Sequence, residues 1–110
     1  MKLRTLVIAA AGLTLAAGAA GAASAETPWQ AHHPRRVEVN HRLYNINHQI
    51  NHERREGDLT AAQARRLHER AWMIRMQERR FAYHHGSHLT RYEQARLNHE
   101  ETTLHRHLPG

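Results

Sequence analysis

The chain contains no cysteine. That excludes a disulfide framework, a lipidated cysteine at a processing site and all thiol chemistry. Lysine is almost missing as well. Its one occurrence is Lys2, so the rest of the chain carries its full positive charges on arginine. Serine occurs once beyond residue 25, as Ser87, and no carboxylate pair falls where a pocket is predicted. Enzyme classes built on an activated nucleophile or an acid–base dyad are therefore not expected. Long hydrophobic runs are also lacking. The apolar stretch from Thr5 to Ala20 is interrupted by Gly12 and Gly18, and it falls short of the ~20 residues that span a bilayer.

What is present at the start reads as an address. Met1-Lys2-Leu3-Arg4 is a short cationic opening, the apolar stretch follows, and Ala23-Ser24-Ala25 puts small residues where a signal peptidase needs them. Residues 1–25 are predicted to be a cleaved export signal, cut before Glu26, which makes the mature protein periplasmic or secreted. Removing 25 residues from 110 leaves 85, enough for one small domain. Without disulfides, such a domain must draw its stability from helix packing or association. Taking Lys2 and Arg4 from the formal +6 leaves +4 before any of the 12 histidines is counted. This charge suits acidic partners in general and does not argue for nucleic acid. Arginine adds planar, bidentate recognition of carboxylate or phosphate.

The chain then alternates helical patterns with stops. Residues 26–36, with Pro28 and Pro34, read as an extended leader with Trp29 as a docking point. Val39, Leu43, Ile46 and Ile50 step by 4, 3 and 4 and share one helix face. Gly57 in Glu56-Gly57-Asp58 supplies the stop. Leu59-Thr60-Ala61-Ala62-Gln63 restarts the pattern, with Thr60 as N-cap and Gln63 closing a capping box. Ala64, Leu67, Ala71, Ile74 and Phe81 form the next apolar stripe. Trp72, Met76 and Tyr83 form a second stripe nearly opposite, so this helix is expected to be sandwiched between its neighbours or at a dimer seam. After His84-His85-Gly86-Ser87-His88, Thr90 and Glu93 repeat the capping box 30 residues on, and Arg96-Leu97 repeats Arg66-Leu67. Leu97, Leu104 and Leu108 give the last helix the weakest stripe. The expected fold is all-α: three antiparallel helices over residues 37–108, with self-association to a homodimer favoured by a thin core.

Two sets of side chains could carry function. Arginine pairs recur along the helices, and Arg79-Arg80 flank Trp72, Met76 and Tyr83, which together suit protein or peptide clients or an anionic membrane surface. Glu38 with Arg42, and Arg96 with Glu100, have the spacing of helical ion pairs. The second set is histidine. His41, His48 and His52 share a stripe opposite the apolar face and should look to solvent. His48 and His52, at i and i+4, could hold Zn²⁺ or Cu²⁺ weakly, with His41 or a partner chain completing the site. No cofactor is otherwise expected. A histidine face would also gain charge in mild acid, which makes a pH-responsive protein the alternative reading. Gly57 to Gln63 imitates the second half of an EF-hand loop, but Arg54 and Gln63 would occupy ligand positions that calcium requires to be acidic or bidentate.

Leu59-Thr60-Ala61-Ala62-Gln63 resembles the LTxxQ signature of the Spy/CpxP-like periplasmic proteins, small all-helical dimers that act as ATP-independent chaperones or stress regulators. Leu89-Thr90-Arg91-Tyr92-Glu93 departs from it by placing Glu where that signature has Gln. Over more of the chain, His33-Pro34-Arg35-Arg36-Val37-Glu38-Val39-Asn40, then Arg42-Leu43 and the two Leu-Thr boxes, is similar to a group of small exported proteobacterial helical proteins. That resemblance implies compartment and fold and supplies no activity. Together these readings point to a non-catalytic periplasmic binding protein, chaperone-like or related to envelope stress.

Overall fold

The computed structural model describes residues 26–109; the predicted export signal, residues 1–25, lies outside the described residues. The chain divides after Ala31 into two compact units. The described residues form four helices: α1 Pro28–His32, α2 Pro34–Arg55, α3 Ala61–His84 and α4 Arg91–His105. Among the described residues there is no strand, and the fold is all-α.

Local chemistry sets each helix boundary. The segment expected to be an extended leader is instead helical over Pro28–His32 and again from Pro34. Proline opens both helices, where its fixed φ suits the first turn and its missing N–H costs nothing. Thr27 and Gln30 form a reciprocal box: the Thr27 N–H donates to Gln30 Oε1 at 2.8 Å and the Gln30 N–H donates to Thr27 Oγ1 at 3.1 Å. The boxes expected at Thr60/Gln63 and Thr90/Glu93 are both formed. The α2 helix stops at Gly57, which takes φ +85°. There the Asp58 N–H reaches Glu53 O at 2.9 Å and the Gly57 N–H reaches Arg54 O at 3.2 Å, the two bonds of a Schellman motif.

In the second unit, α2, α3 and α4 pack pairwise on one another. Hydrogen bonds give their directions. Asn40 meets Glu78 while Asn47 and Asn51 meet His68, so α3 runs antiparallel to α2. Arg35 donates to Leu89 O and Arg42 to Asn98 O and Thr102 Oγ1, so α4 runs parallel to α2. The core contains the expected α2 face (Val39, Leu43, Ile46, Ile50), the α3 residues Ala64, Leu67, Ala71, Ile74 and Ala82, and Leu59, Leu89, Leu97 and Leu104. Phe81 and Leu108 pack at its edge. Three glutamates are buried with these residues: Glu78, Glu93 and Glu101.

Candidate functional site

Helix α3 presents two faces, as its sequence pattern predicts, but among the described residues only one is covered. Trp72 is 62% exposed and Tyr83 83% exposed, with Met73 beside them at 64%; Met76 is half-buried. The expected sandwich between neighbouring helices is therefore not what the bundle builds. Both α2 and α4 pack against the Ala64–Ala71–Ala82 side, and a three-helix bundle leaves each helix an outer face. The result is an exposed ridge of large apolar side chains flanked by Arg79 and Arg80, both exposed.

Shallow grooves run along the ridge. Trp72, Met73, Met76, Arg79 and Arg80 line one on α3 itself. Toward α4, Met73 borders another over Ile74 and Leu104. Toward α2, Tyr44 and Trp72 wall a groove whose floor is Leu43 and Ala71, with Asn40, Arg75, Asn47 and His68 around it. The ring centroid of Tyr44, itself 59% exposed, lies 4.3 Å from that of His48. Both ring nitrogens of His68 are engaged: Nδ1 lies 2.6 Å from Asn47 Oδ1 and Nε2 lies 2.8 Å from Asn51 Oδ1.

Beneath this surface a buried carboxylate organises the charge. Arg36 donates to Glu78 through Nε at 2.5 Å and Nη2 at 3.3 Å, and Asn40 Nδ2 donates at 3.3 Å. Arg75 Nη1 lies 3.7 Å from the same carboxylate. Two guanidinium groups, those of Arg36 and Arg75, thus converge on this one carboxylate. Among the described residues Arg79 and Arg80 form no ion pair.

Glu101 is held differently. It is fully buried, and neither carboxyl oxygen has a hydrogen-bond partner. Arg42 Nε is 3.7 Å away. Burial pushes this carboxyl up to about 8; the nearby carboxylates of Glu38, Glu78 and Glu100 add to the rise and the Arg42 guanidinium opposes it. The expected Glu38–Arg42 pair is replaced by contacts to α4. Glu38 accepts from Gln94 and Asn98, while Arg42 turns to Asn98, Thr102 and Glu101. Arg96 and Glu100 do pair, at 3.5 Å.

The histidines are dispersed. His41, His48 and His52 are exposed on α2, on the solvent side their spacing predicts. In the turn after α3, His85 Nδ1 lies 3.2 Å from Glu93 Oε2 and 3.1 Å from Phe81 O, and the His88 ring stacks on His33 at 4.6 Å. Among the described residues no three histidine, aspartate or glutamate side chains come together to hold a metal ion.

The structure therefore groups Trp72, Met76, Tyr83, Arg79 and Arg80 on one surface, and adds Tyr44, Met73, Arg75 and His68, which sequence reasoning missed. Met73 adjoins Trp72 in the chain, and Tyr44 flanks the histidine stripe on its helix; both signals were readable. The placement of Tyr44 and Trp72 on one groove depends on the α2–α3 register and was not. No family model, curated protein or solved structure matches this chain.

Proposed function

We propose that this chain is a non-catalytic binding protein of the periplasm or exterior, chaperone-like or stress-related, which holds protein or peptide segments on the outer face of α3. The observation that carries the reading is the exposure of Trp72, Met73 and Tyr83 on one ridge beside the unpaired Arg79 and Arg80. Burying one such side chain is worth ~1.5–3 kcal/mol. A bundle with so few core residues would gain by covering the ridge, and instead leaves it open. Contiguous apolar surface rimmed by polar groups marks an interaction site. Its residue types fit the role: tryptophan, tyrosine and arginine dominate binding energy at interfaces, and methionine adapts to varied shapes. The compartment rests on the leader. No helix among the described residues is long and apolar enough to cross a membrane.

The test is suppression of aggregation of an unfolded client by the protein lacking residues 1–25. Trp72→Ala combined with Met76→Ala should weaken suppression roughly tenfold, as hot-spot truncations do. Circular dichroism should be retained, because neither side chain belongs to the buried core. Undiminished suppression by this variant would refute the assignment.

A further inference from the structure

We propose that the groove between α2 and α3 is the selective part of this surface, and that it takes an aromatic side chain carried on an acidic peptide segment. The inference rests on the partner-binding reading above and names the chemistry of the partner.

The slot has walls of one kind and a floor of another. Tyr44 and Trp72 stand on different helices, and between them the floor is Leu43 and the small Ala71. A buried alanine between two helices leaves room above it, and the two rings give that room apolar, polarisable sides. Aromatic rings prefer offset or edge-on partners, which a third ring inserted between two others can satisfy. Both ends of the slot are fixed. Tyr44 is braced by the His48 ring, and His68 is held through both nitrogens by Asn47 and Asn51. A preformed slot loses less freedom on binding than a floppy surface.

Charge then selects among aromatic-bearing segments. No carboxylate lines the slot, and Arg75 stands at its edge. Glu78, 3.7 Å from Arg75, is already bonded through both oxygens to Arg36, so Arg75 does not hold that carboxylate alone. Arg79 extends the positive edge along α3, within the groove that shares Trp72. A residue with a carboxylate next to its aromatic neighbour would place one group in the slot and the other on a guanidinium, whose planar fork suits carboxylate. A bilayer offers a plane, whereas this feature is a groove walled by side chains of two helices; that favours the peptide over lipid.

The experiment uses the protein lacking residues 1–25 with Trp29→Phe, which leaves Trp72 as the only tryptophan of the two. The probe is a synthetic peptide with one phenylalanine flanked on each side by two aspartates. Saturable change in Trp72 emission is expected with this peptide. Replacing its phenylalanine by alanine, its aspartates by lysines, or Tyr44 of the protein by alanine should each weaken binding roughly tenfold. Arg75→Gln should weaken it less and flatten its salt dependence. Circular dichroism of each variant checks the fold, and both substituted side chains lie outside the core.

Several results would overturn the inference: equal binding of the lysine peptide, or binding indifferent to Tyr44→Ala. Titration with phosphatidylglycerol vesicles that shifts Trp72 emission regardless of Tyr44 would assign the face to lipid instead. Competition between the peptide and a concentration-dependent dimer would assign the slot to a second copy. Should peptide binding fail while client protection still depends on Trp72 and Met76, the groove inference falls alone. Loss of both dependences would remove the partner-binding reading too.

Discussion

Glu78, Glu93 and Glu101 occupy positions that a helical period reserves for aliphatic side chains, and the fold treats each differently. Glu78 is neutralised by arginine, Glu93 is spent on the α4 cap and on His85, and Glu101 is buried with both oxygens unpartnered. The apolar pattern alone contained the hint. Ile74 to Phe81 and Leu97 to Leu104 each leave a gap of seven, and in each the missing i+4 position is a glutamate. Reading only aliphatic residues skips that position; the arginines that make it tolerable lie on α2, far away in sequence. The Glu101 carboxyl, pushed up to about 8 when folded from 4.5 when unfolded, has a defined consequence for stability. Below 4.5 both states are protonated and nothing is lost. As pH rises from 4.5 to about 8, the unfolded chain releases a proton that the folded chain keeps, so stability falls through that window and levels off above it. Glu101→Gln removes the dependence. The difference in stability between wild type and variant should grow in favour of the variant from pH 4.5 to pH 8, by up to about 5 kcal/mol, and appear as a widening gap in melting temperature. A constant difference across that range, measured by thermal circular dichroism, would show that Glu101 is ionised in the folded protein.

Helix boundaries were the most legible elements, because capping is short-range chemistry. Thr60/Gln63, Thr90/Glu93 and the stop at Gly57 follow from residues within six positions of one another. The helix at Pro28–His32 was overlooked although Thr27-Pro28-Trp29-Gln30 has the same box spacing; two prolines suggested an extended chain, whereas proline at the first helical position favours the helix. The caps can be tested singly. Thr60→Ala removes the acceptor of the Gln63 N–H and should cost about 1 kcal/mol, with Thr60→Gly costing only a few tenths. Gly57→Ala meets nothing within 4 Å, so its cost should be conformational only, about 1 kcal/mol for an L-residue at positive φ. Urea denaturation should show both as shifts in midpoint with an unchanged slope.

At the scale of the whole molecule, the sequence showed which face of each helix is apolar but not what would cover it. Periodicity reports a stripe of Trp72, Met76 and Tyr83 equally well whether the stripe is buried by a neighbour or left to solvent. The three helices of the second unit provide inner faces to one another, and the outer face of α3 lies on the far side from both neighbours. The core among the described residues has thirteen apolar residues, three of them alanine, so the polar contacts crossing it carry weight. Arg36 and Glu78 join α2 to α3 at one end, and Arg42 reaches from α2 to Glu101, Asn98 and Thr102 on α4. Glu78→Ala takes a carboxylate away from a largely buried Arg36 and an acceptor from Asn40, and breaking such a pair costs about 3–5 kcal/mol. A domain of this size holds roughly 5–10 kcal/mol in all. The variant should therefore lose half or more of its stability, and lose it in every helix at once, because all three share one core. Replacing both partners, Arg36→Met with Glu78→Met, should recover most of the loss, since it is the stranded charge that destabilises. Retention of wild-type melting by Glu78→Ala, or melting of α2 apart from α3 and α4 in residue-resolved hydrogen exchange, would show that the buried pair does not tie the bundle together.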